Sequence, residues 1–311
     1  MNSSTSNSDA MKKFCINILV FSILLMIPNC IFYSIVDSFY WKPYEKKVKL
    51  NFKSYLLSDS HGMPLGNFTE NYGIYNFSAS SDSYDDMYIK AKYLIKNSAV
   101  SRILVTVDDH TLSPYREKMN NADRSVIYTD VSDYDSYYEY LAEKYIKRYI
   151  VYFNPKCRSI VRGFLKAQIS SLISGVKSNG NDEEQPFREE ENWTSLTTFE
   201  QEALAKKRSR DQFPNEKISK PLTKKLEDII ALCRENNIEL IGLKFPLTND
   251  YLDVIDDKSF YADSIFRSNN IKIHDFKYLF SGNDSVFSNQ DHLNKDGGRK
   301  FAKILKDTLK S

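Results

Sequence analysis

A serine hydroxyl attacks a carbonyl at neutral pH only when a base lies within hydrogen-bond reach and a third group holds that base in one tautomer. Two stretches near opposite ends of this chain hold the first two parts. Ser58-Asp59-Ser60-His61-Gly62 directly follows the apolar run Tyr55-Leu56-Leu57, and Asp291-His292-Leu293-Asn294 is followed by Gly297. Ser60, on a strand-to-loop turn, is the candidate nucleophile, and His292, just before a C-terminal helix, is the candidate base. A lone serine after a strand is usually a turn residue, so the weight rests on the two stretches occurring together.

Together these blocks resemble the SGNH/GDSL hydrolase superfamily, whose first block reads Gly-Asp-Ser and whose last reads Asp-x-x-His, commonly continued as His-Leu-Asn-x-x-Gly. The resemblance covers about residues 52–310 in order, with short motifs only partly kept. It implies an SGNH-like three-layer α/β/α domain with a parallel sheet and an acyl-transfer site built on Ser60 and His292, and it calls for no cofactor and no metal.

The departures are chemically pointed. The family acid lies three residues before the histidine, and that position is Asn289, whereas Asp291 is adjacent to His292. Neighbouring side chains in an extended segment point to opposite faces, so Asp291 is badly placed to hold His292 unless the loop bends there. Asn289 can accept from the imidazole through its side-chain oxygen, although replacing a triad carboxylate can cost on the order of 10⁴ in kcat. After Gly73-Ile74-Tyr75-Asn76-Phe77, where the family supplies a glycine N–H to the oxyanion, the chain reads Ser78, which still offers its backbone N–H. Asp108, in Thr106-Val107-Asp108-Asp109-His110, stands where the family has a donating asparagine. An ionised carboxylate only accepts hydrogen bonds. Asp108 therefore lines an oxyanion site only if protonated or if His110 or a backbone N–H takes over, and the plainer reading is a cap on a following turn.

Strand-like and helix-like segments alternate. Lys53–Leu57, Gly73–Phe77, Arg102–Val107, Ile238–Phe245 and Ile271–Asp275 read as strands, and Ser83–Lys96 as a helix. A second helix opens at Ser219 with Pro221 and carries Leu222, Leu226, Ile229, Ile230 and Cys233 on one stripe. A last helix is capped by Asn294 and turns Phe301, Ile304, Leu305 and Leu309 inward. Such alternation predicts a parallel sheet with its active residues on loops at the carboxyl ends of the strands, where Ser60, Ser78 and Asp108 all fall.

At 311 residues with 41% apolar content the chain can bury a substantial core, and a net charge of +2 gives no reason to expect nucleic acid. Residues 1–13 read as a tail. Residues 14–36 form an apolar run of about 20 residues, enough for a hydrocarbon core of ~30 Å, and 37–51 form a linker to an α/β domain over 52–311. An uncleaved anchor is preferred over a lipoprotein signal ending at Cys30, because the apolar run continues past that cysteine. The expected partners are membrane lipid through this N-terminal helix, a polysaccharide or acyl-ester substrate and polysaccharide-assembly proteins. The resemblance to exported polysaccharide-modifying proteins places the C-terminal domain outside the cytoplasm.

Residues 130–175 hold a tyrosine-rich stretch and an amphipathic helix with Ile160, Phe164, Leu165, Ile169, Leu172 and Ile173, read first as core packing and second as a membrane-surface face. Residues 177–217 are polar and charge-blocked and read as a mobile insertion, with Trp193 and Phe199 as the residues able to dock a cap over the site. Two rival readings remain. Asp59-Ser60-His61-Gly62 also matches the Asp-x-His-Gly opening of calcineurin-like metallophosphoesterases, but only four histidines exist and none follows Gly-Asn. Alternatively, the SGNH sheet is kept without efficient turnover, as a glycan-binding or assembly component.

Overall fold

The computed structural model describes residues 5–45, 48–174, 192–215 and 217–310. The chain groups into two compact units, Met1–Lys46 with Asp130–Phe187, and Lys47–Thr129 with Arg188–Ser311. The second unit carries the sheet.

Five parallel strands, β1 (Ser54–Leu57), β2 (Ile74–Asn76), β3 (Arg102–Thr106), β4 (Glu239–Lys244) and β5 (Ile273–Asp275), stand in the order β2-β1-β3-β4-β5. All five segments were anticipated from the hydrophobic pattern. Leu56, Leu104, Ile241 and Leu243 join one core cluster with Phe245, Phe287 and Phe301. Tyr55, Leu57, Ile103 and Val105 alternate to the opposite face and are also fully buried. With both faces covered, the middles of β1, β3 and β4 are continuous apolar runs, as in buried parallel strands, whereas the edge strand β5 reads Ile-His-Asp and is only partly buried. The order reverses direction between β1 and β3, and in open α/β sheets ligands bind outside the carboxyl ends of the strands at such a switch point.

Helix α2 (Tyr84–Asn97) starts from a capping box between Ser83 and Asp86, and α5 (Lys220–Glu235) from Ser219, whose hydroxyl accepts the Leu222 N–H at 3.2 Å. The apolar stripe of α5 is buried from Leu222 to Cys233. The last helix, α8 (Lys295–Lys310), is capped by Asn294, whose Oδ1 accepts the Gly297 N–H at 2.9 Å, and it buries Phe301, Ala302 and Leu305. Two more short helices, α6 (Asn249–Ile255) and α7 (Ala262–Ser268), lie between β4 and β5.

Part of the stretch read as a mobile insertion has regular structure. Helix α4 (Thr198–Gln212) opens with a capping box between Thr197 and Glu200 and packs on α6. Trp193 is buried in the main core, whereas Phe199 is exposed, so only one of the two expected docking residues docks. Residues 177–191 of that stretch lie outside the described residues.

In the first unit, α1 (Thr5–Val36) runs on as helix to Tyr44, with Pro28 inside it. Ala10–Tyr44 is long and apolar enough to cross a membrane. The expected linker from residue 37 is thus helical for its first turns. Helix α3 (Pro155–Ser174) packs against α1 through Cys157, Val161 and Ile160, which meet Val36, Tyr40 and Trp41.

Candidate active site

The turn after β1 is shaped by a close approach. A Cβ on Gly62 would collide with Ser78 Oγ and with Ser58 Cβ at 2.7 Å, so only glycine lets this turn fold against the end of β2. Asn76 reinforces it by donating its Nδ2 to the Gly62 carbonyl at 2.8 Å. The His61 N–H donates to Asp59 Oδ1 at 3.0 Å, which lifts Ser60, half-buried, to the tip of the turn. A second close approach joins this turn to the histidine side. A Cβ on Gly298 would overlap the Pro64 carbonyl, so the start of α8 rests directly on the short helical turn Met63–Leu65.

These supports bring the chain's two ends together: Ser60 Oγ donates to His292 Nε2 at 2.8 Å. On the far side of the ring, His292 Nδ1 lies 2.9 Å from Asn289 Oδ1 and 3.0 Å from Asp291 Oδ1. The backbone N–H groups of Asp291 and His292 also donate to Asn289 Oδ1, at 3.2 and 3.0 Å, which fixes the amide's orientation. Both groups facing Nδ1 are acceptors, so the proton sits on Nδ1 and Nε2 presents its lone pair to Ser60. That is the tautomer a general base needs.

The position of Asp291 differs from the sequence expectation. Strands β6 (Phe287–Asn289) and β7 (His292–Leu293) pair antiparallel with an irregular register, and Gln290 and Asp291 form the tight turn between them. The bend swings the Asp291 carboxylate beneath the imidazole instead of to the opposite face. Its side chain is fully buried, and Oδ2 accepts from Arg208 Nε at 2.7 Å and Gln212 Nε2 at 3.0 Å. Tyr251 holds Gln212 by donating to its Oε1. Burial alone would push the Asp291 carboxyl up, but Arg208 and His292 outweigh it and hold it well below the usual carboxylate range. Arg208 and Gln212 lie on α4, in the stretch read as an insertion; the Thr197-x-x-Glu200 capping box was the signal able to reveal that helix.

Behind Asp291 stands a second imidazole. His61 Nε2 lies 3.5 Å from Asp291 Oδ2, and His61 Nδ1 donates to Asp108 Oδ2 at 2.6 Å. Ser60, His292, Asp291, His61 and Asp108 thus form one chain of polar contacts running inward from the nucleophile. Burial opposes a charge on His61, yet the carboxylates of Asp59 and Asp108 prevail and push its pKa up to about 10.

Asp108 therefore has a different place from the one expected. It also accepts from Thr106 Oγ1 at 3.0 Å and from the Phe245 N–H at 2.7 Å, so every contact makes it an acceptor beneath His61 and none aims a donor at an oxyanion. It caps no turn with its side chain either. Asp109 points elsewhere, to Lys244 at 2.6 Å and Lys277 at 2.8 Å. The Ser78 N–H, expected to serve the oxyanion, donates to Asn76 Oδ1 at 3.1 Å. The Ser60 N–H makes no hydrogen bond among the described residues.

His61, Asp291 and His292 are close enough together to surround a cation. Most of their polar atoms already face protein partners, with Ser60 and Asn289 on His292, Asp108 on His61 Nδ1 and the Arg208 cation on Asp291, while His61 Nε2, 3.5 Å from Asp291 Oδ2, makes no hydrogen bond. Asp59, the first ligand of the metallophosphoesterase reading, instead accepts the His61 N–H and lies 3.3 Å from Arg116.

No protein-family model matches the chain, and no curated protein matches it. Among solved structures it is similar to a protein described as lipolytic and of the G-D-S-L family from Desulfitobacterium hafniense DCB-2. The identity is 9%, covering 83% of this chain and 99% of that one, with a TM-score of 0.40. A protein described as an acylhydrolase from Bacteroides fragilis NCTC 9343 is similar at 8% identity, covering 87% and 94%, with a TM-score of 0.38. Similarity at this level assigns no activity.

Proposed function

We propose that the chain is an SGNH-type serine esterase or O-acyltransferase, anchored by its N-terminal helix, that acts on acyl groups, foremost acetyl, of a surface or secreted polysaccharide. One observation carries the chemistry: Ser60 Oγ lies 2.8 Å from His292 Nε2 while the other ring nitrogen faces Asn289 and Asp291.

Ser60 Oγ bonds to the ester carbonyl carbon as its proton passes to His292 Nε2. The imidazolium so formed is stabilised by the Asp291 carboxylate, and the Ser60 N–H, which makes no hydrogen bond among the described residues, is the donor assigned to the developing oxyanion. Collapse breaks the bond to the leaving alkoxide, which takes the proton back from His292. Water or a sugar hydroxyl then attacks the acyl-serine as His292 takes its proton, and collapse breaks the acyl–Ser60 bond, with Ser60 Oγ taking that proton back from His292. Hydrolysis and transfer differ only in which of the two enters.

A second reading has its own observation. The Ser78 N–H is already donated and Asp108 offers no donor; on this second reading the oxyanion site is short of donors and the domain would serve as a glycan-binding or assembly component with slow turnover. The anchor supports a substrate at the membrane surface, and export of the C-terminal domain follows from the resemblance to exported polysaccharide-modifying proteins. Deleting the gene, recording O-acetyl signals of the surface glycan by NMR, and complementing with wild type and Ser60→Ala separates the readings. The enzyme reading expects altered acetylation restored by wild type alone; full rescue by Ser60→Ala supports the binding role, and an unchanged glycan removes the substrate. Reporter fusions at residue 50 and at the C terminus test export, and cytoplasm-only signals at both reverse the topology.

A further inference from the structure

The first unit exposes apolar surface well beyond its membrane-length helix. From Ala10 to Ile27 every residue of α1 is exposed, and that bare stretch rises about 27 Å at ~1.5 Å per residue, close to a hydrocarbon core of ~30 Å. Packing against other parts of the chain begins at its end. Asn29 donates to the Tyr149 carbonyl at 2.8 Å and accepts the Val151 N–H at 3.0 Å, and Phe32 meets Tyr152 edge-on. The segment around Tyr149 and helix α3 thus clothe α1 where it leaves the apolar core.

That clothing has the composition of a membrane interface. Tyr137, Tyr138, Tyr149 and Phe153 are exposed, and Tyr134, Tyr140 and Tyr152 are half-buried. Amphipathic rings of this kind collect at headgroup level. On α3, Ile160 and Val161 pack on the anchor, but Leu165 and Ile169 are exposed, so core packing accounts for only part of the face. Leu172 and Ile173 have side chains outside the described residues. Arg158, Arg162 and Lys166 follow at intervals of four, on the same side as Val161, Leu165 and Ile169. With Phe32, Val151 and Tyr152 these six residues line a groove of about 360 Å³.

We infer that this groove holds an anionic phospholipid, its phosphate against Arg158, Arg162 and Lys166 and an acyl chain against Val161, Leu165, Ile169 and Phe32. Two features select this occupant: three exposed basic residues border a groove whose own lining is almost wholly apolar, and Phe32 makes the groove continuous with the surface of the membrane-length helix. The inference rests on the anchoring reading. Such cations near a bilayer surface each favour anionic lipid by about fivefold.

The test uses the full chain in nanodiscs of equal phosphatidylglycerol and phosphatidylcholine, with native mass spectrometry of the lipids retained after mild detergent release. The expected result is a preference for phosphatidylglycerol of about tenfold or more. It should fall to within about twofold of parity in R158Q/R162Q/K166Q and persist in K300Q/K303Q, which removes two exposed cations from α8. Wild type without preference, or an unchanged triple variant, overturns the groove while leaving the anchor intact. A groove filled by protein, including a second copy of this chain, gives that same absence of preference. Failure of the folded chain to enter nanodiscs overturns the anchor and the groove with it.

Discussion

Replacing Asp291 by asparagine changes one charge at nearly constant shape, 3.0 Å from His292 Nδ1. A unit charge at that distance from an imidazolium contributes about 5–6 kcal/mol at an effective dielectric of ~20, which corresponds to about four orders of magnitude in rate. Asn289→Ala takes from the imidazole one neutral hydrogen bond of about 1 kcal/mol, about fivefold, because Asp291 still faces the ring; the two backbone N–H contacts it also removes act on the stability of the turn. The expected kcat losses with a chromogenic acetyl ester are therefore about 10³–10⁴ for Asp291→Asn and under about tenfold for Asn289→Ala. Asp291→Asn also leaves Arg208 and His61 facing a neutral amide, and breaking a buried ion pair costs about 3–5 kcal/mol. Both variants are accordingly assayed below their melting transitions, followed by circular dichroism. A loss within tenfold for folded Asp291→Asn, combined with a hundredfold loss for Asn289→Ala, would refute the assignment of Asp291 as the carboxylate that serves the base.

Three further outcomes follow from the same contacts. His61 has a folded pKa of about 10, above its unfolded value near 6.5, so its stabilisation is complete below about pH 6.5 and is lost as pH rises through about 10; the difference in unfolding free energy between wild type and His61→Gln should shrink over that window, and a pH-independent difference contradicts a charged His61. Arg208 holds the Asp291 carboxyl down, so Arg208→Met should move the acid limb of the pH–kcat profile to higher pH, whereas an unmoved limb separates Arg208 from the site. Gly298→Ala forces α8 off the Pro64 carbonyl and should destabilise by about 1–3 kcal/mol in urea unfolding while lowering turnover, and a neutral effect on both removes that contact as the link between the two ends of the site.

The sheet was legible because its central strands are buried on both faces: Tyr55-Leu56-Leu57 and Ile103-Leu104-Val105 are unbroken apolar runs, each followed within a few residues by a loop that carries site residues, Ser60 and His61 after β1 and Asp108 after β3. Ser60, His292 and Asn289 were legible through motif spacing. Asp291 was misjudged because alternation holds only within a strand, and β6 and β7, at three and two residues, are too short to reveal a turn between them. Helix α4 was read as an insertion because it is polar on most of its surface; what it delivers is Arg208 and Gln212, and side chains that serve a buried carboxylate leave no hydrophobic period. Asp108 was placed at the oxyanion by its motif position, and only the packing of His61 between it and Asp291 revealed the imidazole it accepts from.

The central claim is that Ser60 is a nucleophile activated by His292. Labelling of the folded protein with a serine-directed phosphonate, followed by peptide mass spectrometry, tests it most directly. The account predicts one adduct on the peptide containing Ser60, absent in Ser60→Ala and formed at least about a hundredfold more slowly in His292→Ala, within the usual range for general-base assistance. Labelling that persists in Ser60→Ala, or a folded wild type that takes no label, contradicts it.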